Sequence, residues 1–297
     1  MNGPVVPVHL AGLATGQSRR SYLLGILLTI AALVVLGLPV FLFMRTVPDV
    51  PVMQSFALLA INAMAIPALA LVAHFVHGMR LGDLVAPGRP ADWGMLGRSA
   101  LVWAVPLLAQ VAIGLWNGEL QPTGTAALVF LTLAPVSVLL FTLQASAEEL
   151  LFRGYLAQGA QLLFRHALPA ALLTGLLFTL AHEGSGARAV WGQRAEIMAM
   201  ALFLSWITTR FGRLEAAMGV HIINNVLFSI FIGGADFSFP DLLTRVDSDP
   251  PDLDGLADWG EFALHQALTI GFYWLAGIRT GFVERGLDLF SVDRKQV

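Results

Sequence analysis

Apolar residues run through this chain in long blocks, without the alternation of strands or the one-sided stripe of soluble helices. The blocks fall near 22–44, 55–76, 98–116, 126–146, 168–182, 195–209, 216–233 and 262–282. A membrane-crossing helix needs about 20 apolar residues. The pattern therefore predicts about eight transmembrane helices, the fifth and sixth short and carrying polar residues. Pro39, Pro67, Pro106 and Pro135 lie inside blocks, which membrane helices accept because neighbouring helices satisfy the freed carbonyls. Residues 80–97 read as a polar Pro/Gly-rich connection, and residues 150–165 as an amphipathic extension of the fourth helix.

Residues 1–18 read as a short disordered tail. Residues 19–297 read as a single transmembrane helical domain, with its chemistry concentrated at 125–235. Arg19 and Arg20 precede the apolar run from Tyr22 to Met44. A signal peptide has an apolar region of only about 7–15 residues, so this run is expected to be a retained first helix.

Composition agrees. Of 297 residues, 57% are hydrophobic and 12% charged, against about 25% charged in soluble domains. Mean hydropathy is +0.73. The expected class is an all-α polytopic membrane protein whose main partner is the lipid bilayer. Net charge is -3, and without a basic surplus nucleic acid is excluded as a partner. There is no cysteine, which removes thiol catalysis, disulfides and thiolate metal sites.

With the N-terminus inside and the helices alternating, 13 Arg and Lys residues fall on the inner side and 4 on the outer. The positive-inside rule then puts both termini in the cytoplasm, expected here of a bacterial-type cell membrane. Asp247, Asp249, Asp252 and Asp254 fall outside in an acidic loop. Pro250 and Pro251 interrupt it and the EF-hand spacing is missing, so it reads as a solvated loop.

Three polar clusters stand where lipid is expected. In Glu148-Glu149-Leu150-Leu151-Phe152-Arg153, the i, i+4 spacing pairs Glu149 with Arg153 and leaves Glu148 to face something else. A carboxylate in a partly dry setting suits a general base. In Phe178-Thr179-Leu180-Ala181-His182, Phe178 and His182 share a face. In His221-Ile222-Ile223-Asn224-Asn225, His221 and Asn225 project side by side, while Asn224 points elsewhere and is the weaker candidate. Each cluster alone also reads as a helix-end acid pair, a satisfied structural histidine or an interhelical hydrogen bond. Together they say more. A turn near Arg165–His166 places Glu148 and His182 each roughly 25 Å away along antiparallel helices. That sets a free carboxylate beside an imidazole, a water-activating pair.

This pattern, Glu148-Glu149-x-x-x-Arg153, Phe178-x-x-x-His182 and His221-x-x-x-Asn225, resembles the CPBP (Abi) family, which includes the type II CAAX prenyl endopeptidases and bacteriocin-processing or self-immunity proteins. The resemblance implies a site sunk among membrane helices and the hydrolysis of a peptide bond. Glu148 would activate water and His182 would help hold it. Glu149 and Arg153 would orient the site, with Phe178 supporting it, and His221 and Asn225 would stabilise an oxyanion. No cofactor is required by this scheme. Glu148, His182 and His221 also make up a His₂Glu zinc set, although no HExxH occurs. The expected partner is a peptide or protein substrate: a CAAX-type tail, a leader peptide or a membrane-protein segment.

Other readings explain less. A Ser185–His221 dyad leaves the Glu-Glu-Arg cluster idle. A proton-coupled transporter could enlist His74, His77 and His265, but no repeated halves are visible, and those histidines read as interhelical hydrogen bonds. A catalytically silent immunity or scaffold protein is a third class. The tryptophans are expected mostly as interfacial anchors.

Overall fold

The computed structural model describes residues 7–46, 51–182, 191–232, 244–246 and 256–285. The expected Asp247–Asp254 loop and Ser185 lie outside the described residues. The chain begins with a 3-10 turn, Val8–Leu10, and a short helix α1, Ala11–Ala14. A disordered tail was expected over 1–18. Instead the Val8 N–H donates to the Gly212 carbonyl at 2.9 Å, and the Val8 side chain is buried.

The long helices follow the apolar blocks. Helix α2 is Arg19–Met44, started by Ser18, whose hydroxyl accepts from the Ser21 N–H. The second block divides into α3, Pro51–Ala63, and α4, Ala65–His77. The break at Met64 lies just before Pro67, whose missing N–H leaves the Ala63 carbonyl without its intrahelical donor. Gly78 ends α4 in the left-handed region, φ 65°, which a glycine adopts without strain. Helix α5 is Trp93–Asn117 and α6 is Ala127–Glu149. A π-helical segment, Leu150–Leu156, joins α6 to α7, Ala157–Phe164. Then come α8, Ala167–Ala181, α9, Trp191–Phe211, and α10, Glu215–Leu227, which runs into a second π segment, Phe228–Ile232. Helix α11, Leu256–Phe272, a third π segment, Tyr273–Arg279, and α12, Phe282–Arg285, close the described chain.

The protein is thus all-helical, apart from two short antiparallel strands. These are β1, Leu120–Pro122, and β2, Thr244–Val246, paired Leu120 to Val246 and Pro122 to Thr244. Nothing in the sequence pattern announced them. Among the described residues, 4 helical stretches are long and apolar enough to cross a membrane: Arg19–Met44, Val52–His77, Trp93–Asn117 and Ala127–Phe164. That is fewer than the eight read from the blocks. Helix α8 has 15 residues, short of the usual crossing length. Helix α9 is longer but carries Arg194, Glu196 and Arg210.

Several of the arginines assigned to the inner side bond backbone or acidic groups of neighbouring segments, whereas Arg153, counted with them, is buried in the cluster described below. Arg19 bonds the Leu162 carbonyl, Arg89 the Gly212 carbonyl and Arg98 the Val283 carbonyl. Arg213 pairs with Glu215 and bonds the Pro90 carbonyl, and Arg210 faces Glu284. The hairpin between α7 and α8 turns at Arg165 and His166, as expected. Arg165 takes the left-handed conformation, φ 54°, and the His166 Nδ1 accepts from the Leu168 N–H at 3.2 Å.

The most extensive helix contact is α5 against α10. It is possible because Gly219 has no Cβ: one placed there would collide with the Leu96 carbonyl oxygen and come within 3.1 Å of the Ala100 nitrogen. Backbone on the opposing helix cannot step aside as a side chain can. Gly219→Ala should therefore lower stability by about 1–3 kcal/mol, the range for overpacking a filled interior. Thermal unfolding of the detergent-solubilised protein measures this as a lower midpoint.

Candidate active site

Three helices and a π segment meet at the motif residues. Glu148 and Glu149 end α6, Arg153 lies in the π segment that follows, Phe178 and His182 end α8, and His221, Asn224 and Asn225 lie on α10. Adjacent residues on a helix point about 100° apart, and the two glutamates separate accordingly. Glu149 is fully buried. Its Oε1 accepts from Arg153 Nη1 at 2.8 Å and from His221 Nδ1 at 2.8 Å. Arg153, also buried, donates its other end to the Ala201 carbonyl of α9 at 3.2 Å. Its guanidinium lies over the Phe178 ring, 4.4 Å from the centroid. Burying a charge this deeply is tolerable only with a partner and with hydrogen bonds. Here one residue of α10 and a backbone group of α9 add to the pair, while Glu149 Oε2 has no hydrogen-bond partner among the described residues.

Phe178 is the apolar centre of the cluster. Its ring meets Phe152 edge-on at 5.0 Å, lies 4.2 Å from the His182 ring and 5.8 Å from the His221 ring. His182 sits at the C-terminal end of α8, where helix carbonyls lack intrahelical donors. Its Nδ1 donates to the Phe178 carbonyl at 2.7 Å.

These contacts fix the outward nitrogen of both rings. A carbonyl and a carboxylate only accept, so both Nδ1 atoms carry the hydrogen and both Nε2 atoms are left for other use. Each Nε2 lies 3.6 Å from Glu148 Oε2. That separation is too long for a direct hydrogen bond and suits a bridging water. Glu148 Oε2 is buried and has no hydrogen-bond partner among the described residues. The side chain of His182 is 30% exposed and that of Glu148 13%, against 4% for His221, so the cluster opens on the His182 side.

The structure thus brings Glu148, Glu149, Arg153, Phe178, His182 and His221 into direct mutual contact. Asn225 joins through an intermediary. Its Nδ2 donates to Gln144 Oε1 at 3.1 Å, and Gln144 Nε2 donates to Glu148 Oε1. Gln144 was missed in the sequence, although its signal was available: it is polar within an apolar block and four residues before Glu148. Trp103, expected with the interfacial tryptophans, is instead buried and donates its indole N–H to Asn224 Oδ1 at 3.2 Å. Trp93 and Trp116, at the two ends of α5, are 73% and 90% exposed, as interfacial residues would be. The level of Trp103, ten residues into the 25 of α5, sets the cluster roughly 15 Å from one end of that helix.

Among the described residues, no group of three or more His, Cys, Asp or Glu side chains has an arrangement for holding a metal ion. An apolar groove of about 600 Å³ runs along α6 between Phe130 and Thr142 and contains none of the site residues.

Residues 127–227 match the family model described as Rce1-like, type II CAAX prenyl endopeptidase. This stretch is similar to that family. It contains every site residue named above except Trp103, and it bears out the resemblance read from the motifs. The chain is also 26% identical over 190 residues to the uncharacterized protein YyaK of Bacillus subtilis (strain 168), a match covering 61% of this chain and 62% of that protein. No solved structure matches the chain. A region similar to that family, set among 4 helical stretches long and apolar enough to cross a membrane, points to an integral membrane protein.

Removing Arg153 leaves Glu149 as a buried charge that His221 alone must satisfy. Arg153→Met should cost about 3–5 kcal/mol, as breaking buried pairs does. Adding Glu149→Leu should recover part of that loss, because the orphaned charge is then gone. Chemical unfolding of both variants in detergent checks the order.

Proposed function

We propose that the protein is an intramembrane endopeptidase that hydrolyses a peptide bond with water held between Glu148, His182 and His221. The observation that carries this reading is the convergence of two fixed Nε2 atoms on the unpartnered Oε2 of Glu148, each at 3.6 Å.

The chemistry follows from the donors and acceptors. A water in the gap gives one hydrogen to Glu148 Oε2 and the other to His182 Nε2, which leaves an oxygen lone pair directed at the substrate. Glu148 takes the proton as the new C–O bond forms. The Asn225 amide donates a hydrogen to the developing oxyanion, and His221 is placed to donate from Nε2 when that atom carries one. When the tetrahedral species collapses, the C–N bond breaks and Glu148 returns its proton to the leaving amine. Glu149 and Arg153 take no proton in this scheme. They hold the His221 ring in its tautomer and orientation. The sequence runs without a metal ion.

The substrate class that fits is a peptide segment able to reach a site below the membrane surface: a CAAX-type C-terminal tail, a leader peptide or a membrane-protein segment. The remaining apolar helices, α8 to α11, complete the eight-helix reading. The side richer in Arg and Lys faces the cytoplasm of a bacterial-type cell, with both termini on that side.

Glu148→Gln keeps the shape and the Gln144 contact but cannot take a proton. Cleavage of a peptide library by purified protein in detergent or liposomes should fall by at least about a hundredfold, the lower range for a lost general base, with the unfolding midpoint preserved. Activity should be unchanged by a chelator; a loss that zinc restores would move the mechanism to the Glu148–His182–His221 metal set. A wild-type protein that cleaves nothing while Glu148→Gln abolishes proton-coupled flux would favour a transporter. One whose phenotype survives Glu148→Gln would be a silent scaffold.

A further inference from the structure

The amide groups beside the site form an ordered series with a single direction. Trp103 Nε1 donates to Asn224 Oδ1 at 3.2 Å. An indole N–H can only donate, so Asn224 must turn its oxygen toward α5 and its nitrogen away. That nitrogen donates to Asn225 Oδ1 at 3.5 Å, the longest link. Asn225 Nδ2 donates to Gln144 Oε1 at 3.1 Å, and Gln144 Nε2 donates to Glu148 Oε1. At the far end stands a carboxylate, which when ionised only accepts. With a donor-only group at one end and an acceptor-only group at the other, no amide in between can be flipped without breaking two bonds.

We infer that Trp103, Asn224, Asn225 and Gln144 form a one-way hydrogen-bond relay that orients the catalytic carboxylate of Glu148, which makes Trp103, Asn224 and Gln144 positioning residues. The inference rests on the peptidase reading of Glu148. Three observations support it. The origin is rigid: the Trp103 ring stacks on Phe203 at 5.0 Å and meets Tyr273 edge-on at 6.0 Å. Trp103 and Gln144 are buried, so the links run where hydrogen bonds polarise one another most. And the relay ends on Oε1, the oxygen that the histidines do not face. With Oε1 held, the carboxylate cannot rotate, and Oε2 stays pointed at both Nε2 atoms. Helix α5, which contributes no motif residue, thereby acts on the reaction through side chains that never touch substrate.

The test compares wild type with Trp103→Phe, Asn224→Asp, Gln144→Leu and Gln144→Glu. Each removes a donor from the relay, and Asn224→Asp and Gln144→Glu do so with a side chain of the same shape. Cleavage of a reporter peptide drawn from the library is followed as separate kcat and KM. Gln144→Leu and Gln144→Glu should lower kcat by about tenfold or more, as loss of a hydrogen bond to a charged group does. Asn224→Asp and Trp103→Phe should lower it in smaller steps, about threefold for the tryptophan, as expected of polarisation passed along a chain. KM should stay within about twofold throughout, since none of the three residues touches substrate. A second readout does not depend on activity. In protein labelled with ¹⁵N-tryptophan, the indole resonance assigned to Trp103 by its loss in Trp103→Phe should move in Asn224→Leu. Normal kcat in both Trp103→Phe and Asn224→Asp overturns the relay, as do losses confined to KM or an indole resonance unmoved by Asn224→Leu. A wild-type protein without peptidase activity overturns the proposed function instead, and the indole shift still decides whether the Trp103–Asn224 link exists.

Discussion

The site depends on keeping one negative charge inside apolar surroundings. Glu149 is fully buried, and a single partner would not suffice. Its Oε1 therefore takes both an Arg153 hydrogen and the His221 Nδ1 hydrogen, each at 2.8 Å. This one oxygen ties the end of α6 to the π segment and to α10. Through Arg153 it reaches the backbone of α9 and the face of Phe178, and Phe178 carries His182. The geometry around Glu148 follows from these attachments. Glu148 itself takes no part in them, as its proposed role as the base requires.

The division of labour between two neighbouring glutamates was legible in the sequence, because it follows from helix geometry. Four of the pairs that matter are i, i+4 pairs on single helices: Gln144–Glu148, Glu149–Arg153, Phe178–His182 and His221–Asn225. Three of them were visible as motifs. The turn at Arg165–His166 was also legible, from equal spacing on either side. Trp103 was not. Its role arises from the approach of α5 to α10, which Gly219 permits, and a contact between segments more than a hundred residues apart leaves no local pattern. The strands β1 and β2 were hidden for the same reason. The division of the second block at Met64 was hinted at by Pro67 but is hard to tell from a tolerated kink. Among the described residues, length and apolarity mark 4 of the eight expected spans, because an apolar block of fifteen residues marks a buried helix as well as it marks a crossing one.

Charge and backbone work together at the arginines assigned to the inner side. Several of those arginines bond main-chain carbonyls: Leu162, Gly212 and Val283 at helix ends, and Pro90 in the connection before α5. Carbonyls in the last turn of a helix have no donors within it. The residues expected to set orientation by the positive-inside rule therefore also satisfy backbone at these ends, and the short segment at Val8 adds a further bond to Gly212.

The π segment from Leu150 to Leu156 has a consequence for how this protein can vary. A widened turn holds more residues per turn than an α-helix, and here it lies directly between the two glutamates and the hairpin that returns with His182. Deleting one residue from it would tighten the coil back to α, and because fewer residues then fill each turn the helix beyond would keep nearly the same azimuth. A deletion between Glu149 and Arg153 would change the spacing of that buried pair, whereas one after Arg153 would leave it. The segment can therefore lose a residue without misdirecting the hairpin that returns with His182, provided the loss falls beyond the arginine.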